Sequence, residues 1–106
     1  MLNSSRIVIP THDNDGSSNA AIIDSAIRNL TAECGGATAW DARGYWIAAE
    51  GTLYAEPVTV IESAVVASDD AEAKLRALAA LILSSTDQLA VYVQFPGGQV
   101  EIIEKP

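Results

Sequence analysis

Two segments of helical hydrophobic period each stand between runs of strand character, and this alternation limits the fold more than any other feature of the chain. In the first, Ile23, Ile27, Leu30 and Cys34 recur three to four residues apart with Ile22 and Ala26 beside them, while Asp24 and Arg28 sit four apart on the other side. In the second, "SDDAEAKLRALAALILSS", Leu75, Leu78, Ala79 and Ile82 share one face and Glu72 is placed to pair with Arg76. Both patterns predict amphipathic helices. Ser17 or Ser18 can accept from the free amides of the first helix, and Gly35 with Gly36 ends it where a left-handed residue is needed. Asp69 with Glu72 three residues later resembles a capping box for the second.

The intervening runs read as strands. "RIVIP", Arg6 to Pro10, is β-branched and ends in a breaker. "ATAWDARGYWIAAEGTLYAE" and "PVTVIESAVV", cut by Ala42-Arg43-Gly44 and Glu50-Gly51, predict antiparallel strands joined by hairpins. Pro57 cannot donate to a ladder, so pairing is expected to be interrupted there. "QLAVYVQF", a turn at Pro96-Gly97-Gly98 and "QVEIIE" close the chain. The order is β, α, β, β, β, α, β, β. Two crossover helices must then pack on one face of a mainly antiparallel sheet, an α+β, ferredoxin-like split βαβ arrangement with extra strands in a single domain over residues 1–106. A right-handed first crossover puts the opening strand inside the sheet. The opposite face lacks helices, and Trp40, Tyr45, Trp46, Tyr54 and Tyr92, with Glu50 and Glu56 among them, make it a candidate surface for partner binding or a homodimer. The alternative is that these aromatics fill the single core.

Charge narrows the function classes. Fourteen acidic residues against six scattered basic ones leave a net charge of −8. Direct binding to nucleic acid or to anionic lipid is therefore disfavoured, since both need clustered cations, whereas a basic protein partner suits the surface. Cys34 is the sole cysteine, so no intrachain disulfide can form. The opening residues lack a signal-peptide pattern and the longest apolar run, Ala77 to Leu83, is too short for a membrane span, so the cytoplasm is the expected compartment.

The loop "IPTHDNDGSSN" holds the only histidine beside two aspartates. A calcium-loop spacing starting at Thr11 fails, because its first position is not acidic and its twelfth, Ile22, cannot ligate. His12 with Asp13 or Asp15 lacks a second histidine for a transition metal, so no metal and no cofactor are expected. His12 as base, Asp13 or Asp15 as orienter and Ser17 or Ser18 as nucleophile would be a catalytic set, but neighbouring loop side chains do not all converge. Local turn and capping bonds account for the same residues.

Pro10 followed by Asp13-Asn14-Asp15-Gly16, then Gly35-Gly36-Ala37-Thr38 and Gly44-Tyr45-Trp46, resembles a group of small, functionally uncharacterised bacterial and phage proteins with P-x-x-D-N-D-G, GG-x-T and G-x-W motifs. The resemblance covers most of the chain and implies a shared fold pattern more than an activity. Together with small size and acidity it implies a non-enzymatic interaction protein of phage or mobile-element origin, an inhibitor or nucleic-acid mimic of anti-CRISPR or anti-restriction type. The alternative expectation is a small enzyme or ligand-binding module using His12, Asp13 and Asp15.

Overall fold

A computed structural model describes all 106 residues. The elements run β1 (Asn3–Pro10), α1 (Ala20–Cys34), β2 (Thr38–Ile47), β3 (Leu53–Val65), α2 (Asp69–Ser85), β4 (Ala90–Gln94) and β5 (Val100–Glu104). One antiparallel sheet takes the order β2-β3-β1-β4-β5, with β1 at its centre. The first four strands and two helices follow the split βαβ plan, and β5 adds a hairpin strand at the edge. Both helices cover one face, so the expected α+β class and layer arrangement hold.

The core lies between the helices and that face. Ile7 and Ile9 of β1, Ile61 of β3 and Val91 and Val93 of β4 alternate inward and meet Ala26 and Leu30 of α1 and Leu75, Leu78, Ala79, Ile82 and Leu83 of α2. Phe95 is the only aromatic in this core. The helix stripes read from the sequence face this core, with Ile23, Ile27 and Cys34 of α1 partly buried against it, and the outward pairs form as spaced: Arg28 Nε–Asp24 at 2.8 Å and Arg76 Nη2–Glu72 at 2.8 Å.

Two local expectations differ. The α2 N-cap is Ser68, whose hydroxyl accepts from the Ala71 N–H at 3.0 Å, so Asp69 already lies inside the first turn. The middle of the chain holds two long strands where three were expected. β2 runs unbroken through Ala42-Arg43-Gly44, and β3 runs through Pro57. The Pro57 carbonyl accepts from the Thr11 N–H at 3.1 Å, on the side where β1 has just ended. Its missing N–H faces that same side and leaves no gap in the β2–β3 ladder.

Because β1 pairs with β3 only as far as Val58, the segments Arg43–Ile47 and Leu53–Pro57 continue past it as a two-stranded ribbon. Its tip is closed by Ala48 accepting from Gly51 and donating to Thr52, with Gly51 at φ 91°. No helix is long and apolar enough to cross a membrane.

Candidate functional site

Three places could carry chemistry: the histidine loop, the open sheet face with its ribbon, and a cavity between the helices. In the loop, the Asp13 carboxylate accepts from Asn19 Nδ2 at 2.9 Å, Gln88 Nε2 at 3.3 Å and the Asp87 N–H at 3.1 Å. Asp87 in turn accepts from the N–H groups of Asn14 and Asp15 at 2.9 and 3.3 Å. Asp15 accepts from the Ser17 N–H at 2.9 Å and from its hydroxyl. Asp13, Asp15 and Asp87 each offer an oxygen within 4.8 Å of the others, a set that could hold a cation. Those oxygens are largely engaged by N–H donors, and what the bonds achieve is to tie the β1–α1 loop to the segment between α2 and β4.

Burial pushes the Asp13 carboxyl up, but the bonds from Asn19, Asp87 and Gln88 outweigh it and the net position is below the usual aspartate range. Asp15 is lowered mainly by Ser17. His12 is exposed and its Nδ1 lies 3.1 Å from the Thr11 hydroxyl, with no bond to either aspartate. The hydroxyl of Ser17 donates to Asp15, and Ser18 accepts from the Ala20 N–H at 3.1 Å, so His12, an aspartate and a serine do not assemble as a catalytic set.

The open face gathers the aromatics. The register aligns Trp40, Val60, Val8, Tyr92 and Ile102 in one row across all five strands. Trp46 and Tyr54 are paired across the ribbon and stack with ring centroids 4.6 Å apart. Glu56 belongs to this face by strand parity, and Glu50 at the tip accepts from the Tyr54 hydroxyl at 3.4 Å. Arg6 lies over Trp40, 5.6 Å from the ring centroid, and bonds Glu62 at 2.6 Å. Tyr45 alone among the predicted aromatics points to the helix side, beyond the reach of the helices. None of the five enters the core. On the ribbon Tyr45, Trp46, Ile47, Leu53 and Tyr54 are 60, 52, 69, 62 and 42% exposed.

The cavity, about 340 Å³, opens where α1 and α2 diverge near the start of β1 and the end of β3. No sequence signal pointed to it, since its walls come from four separate elements. None of its lining residues belongs to the histidine loop, and none is aromatic.

No family model matches the chain, and no curated protein matches it in sequence. Among solved structures, a phage SAM lyase in complex with S-methyl-5'-thioadenosine superposes with a TM-score of 0.73 at 21% identity, over 98% of this chain and 90% of that one. A phage SAM lyase in its apo state superposes at 0.67 and 20% identity, over 96% of this chain and 88% of that one. The likeness establishes the fold. It also corrects the expectation of a non-enzymatic inhibitor or nucleic-acid mimic, because the proteins that share this architecture along nearly their whole length are enzymes.

Proposed function

We propose that this protein is a lyase that cleaves S-adenosylmethionine and releases S-methyl-5'-thioadenosine. The observation that carries the reading is the match of 98% of the chain to a phage SAM lyase holding that product. In such a cleavage the bond from the sulfonium sulfur to the four-carbon amino-acid chain breaks, and its electron pair leaves on a neutral sulfur. The carbon fragment is completed either by its own carboxylate closing on the carbon that loses sulfur or by loss of a neighbouring proton to a base. On both routes the positive charge disperses in the transition state. A dry, weakly polar site therefore speeds the step, whereas a carboxylate held against the sulfonium stabilises the substrate more than the transition state.

This reasoning favours the aromatic ribbon over the aspartate junction. Trp46 and Tyr54 offer ring faces on which a purine stacks and against which a sulfonium is attracted, and Trp40 and Tyr92 extend the same surface. Glu50 and Glu56 stand where they can receive the substrate's ammonium group. The ribbon is open to water, and a second copy of the chain over the aromatic face is what excludes it in this reading.

Incubating the purified protein with S-adenosylmethionine and following S-methyl-5'-thioadenosine by chromatography tests the proposal. Enzyme-dependent product is the expected result, and a folded, concentrated sample that yields none removes it. Glu50→Gln with Glu56→Gln separates the two routes. Loss of kcat marks a protein base, whereas a rise in KM alone marks closure by the substrate's carboxylate.

A further inference from the structure

β2 is the outermost strand on its side of the sheet and pairs with β3 alone. The Ala48 N–H donates to the Thr52 carbonyl as the β2–β3 register continues past Ile47 and Leu53, and hydrogen-bonded pairs alternate along an antiparallel ladder. Trp40, Ala42, Gly44 and Trp46 therefore exchange backbone bonds with β3. Ala39, Asp41, Arg43, Tyr45 and Ile47 turn their N–H and C=O groups to the open edge, where no strand receives them. Such an edge is a template for another strand. Asp41 and Arg43, both exposed, flank Ala42 on the helix side of the sheet. Arg43 is the one basic side chain of six with neither an ion pair nor a hydrogen bond, and Asp41 receives only the Thr59 hydroxyl, at 3.5 Å.

We propose that this edge is an interface for a second copy of the chain, with β2 pairing antiparallel to β2 about a two-fold axis at Ala42. The register sets Asp41 against the second copy's Arg43, and Arg43 against its Asp41. It also puts a small residue opposite each large one: Gly44 opposite Trp40, Ala39 opposite Tyr45 and Thr38 opposite Trp46. An axis at Arg43 places arginine against arginine and Trp40 against Trp46, and an axis at Asp41 sets aspartate against aspartate. Charge and size thus select the same register. Residues 38–41 of the second copy then lie beside residues 43–46, so the ribbon gains a third strand, which a lone two-stranded ribbon needs for stability in water. The pairing leaves the open sheet face free for a copy that covers the aromatics. One strand edge buries less than a standard interface, so the contact alone has a Kd on the order of 1 mM and stays dissociated at micromolar concentration.

In that register the two Ala42 residues form a non-hydrogen-bonded pair with Cα atoms about 4.5 Å apart, within reach of a disulfide, while the two Thr38 residues lie roughly 25 Å apart. The full chain carrying Cys34→Ser is compared as Ala42→Cys and as Thr38→Cys under mild oxidation at concentrations near that Kd. Disulfide-linked dimer is followed by non-reducing electrophoresis, with folding checked by circular dichroism, a readout independent of any S-adenosylmethionine cleavage. Ala42→Cys is expected to cross-link about tenfold faster than Thr38→Cys. Adding Asp41→Arg or Arg43→Asp should each slow it about tenfold, since either sets like charges opposite one another. Asp41→Arg makes the chain less acidic, so general repulsion alone predicts the opposite sign for that variant. The two reversals together restore opposite charges at the same net charge of −8 and should recover the parent rate. Equal rates at the two cysteine positions, single reversals without effect, or a double reversal no faster than either single would each overturn the register.

Discussion

Asp13 receives bonds from Asn19 in its own loop and from Asp87 and Gln88 far along the chain, and these hold its carboxyl low against the opposing push of burial. A carboxylate lowered on folding contributes stability above the ordinary aspartate range, and that contribution is lost as the pH falls through its folded value. Asp13→Asn should therefore lower the urea midpoint at neutral pH and flatten its fall in acid, read by denaturation across the acid range. Asp13→Ala, which strands three donors, is expected to cost about 2 kcal/mol. The sequence showed this aspartate beside a histidine and a serine pair, and local spacing made a catalytic set conceivable. Besides Asn19, it bonds the Asp87 N–H, 74 residues away, and no local signal joins those two. The sequence allows Trp46 either on a partner-binding surface or in the core, and the structure leaves it 52% exposed. In the proposed lyase, Trp46→Ala should lower kcat/KM for S-adenosylmethionine about tenfold through the lost ring face, with folding intact by circular dichroism.

The helices were legible because period and burial agree along their whole length, whereas the central strands were obscured by residues that usually break structure. Gly44 lies inside β2, where a Cβ would come within 3.1 Å of Val58 Cγ1, so it permits close approach of β3 rather than marking a turn. Pro57 sits in β3 with its donor-less side turned to the end of β1. Both exceptions depend on which neighbour lies on which side, and one strand's sequence does not state that. The cap of α2 was displaced by one residue for a related reason, since Ser68 and Asp69 are both good caps and the backbone geometry selects Ser68. Ser68→Ala is expected to lower stability by about 1 kcal/mol, measured as a shift in denaturant midpoint at unchanged slope, while Asp69→Ala should cost less.

On the scale of the molecule, the split βαβ plan leaves one sheet face without helices and sends a ribbon past it, giving extents of 42 × 26 × 26 Å. The aromatics were visible in the sequence, but the face they take follows from register: odd positions of β1 enter the core, and pairing through β3 carries Trp40, Trp46 and Tyr54 to the other side. A two-stranded ribbon is marginal in water by itself, and on the open face Trp40, Trp46, Tyr54, Val100 and Ile102 all meet solvent. Covering them with a second copy buries apolar area at the cost of bringing two chains of net charge −8 together. The balance has a distinctive salt dependence. Added salt screens the repulsion and leaves the apolar term, so self-association should strengthen from low to moderate ionic strength, opposite to an interface held by ion pairs. Light scattering on the purified chain should find a mass above that of the monomer, and Val100→Ser with Ile102→Ser, both exposed on the open face, should return it to monomer without unfolding the core. If the proposed chemistry needs the covered face, the same pair of substitutions lowers product formation in step with the loss of oligomer. A chain that is monomeric at every concentration and salt, yet releases S-methyl-5'-thioadenosine at full rate, would place the reaction on a single subunit.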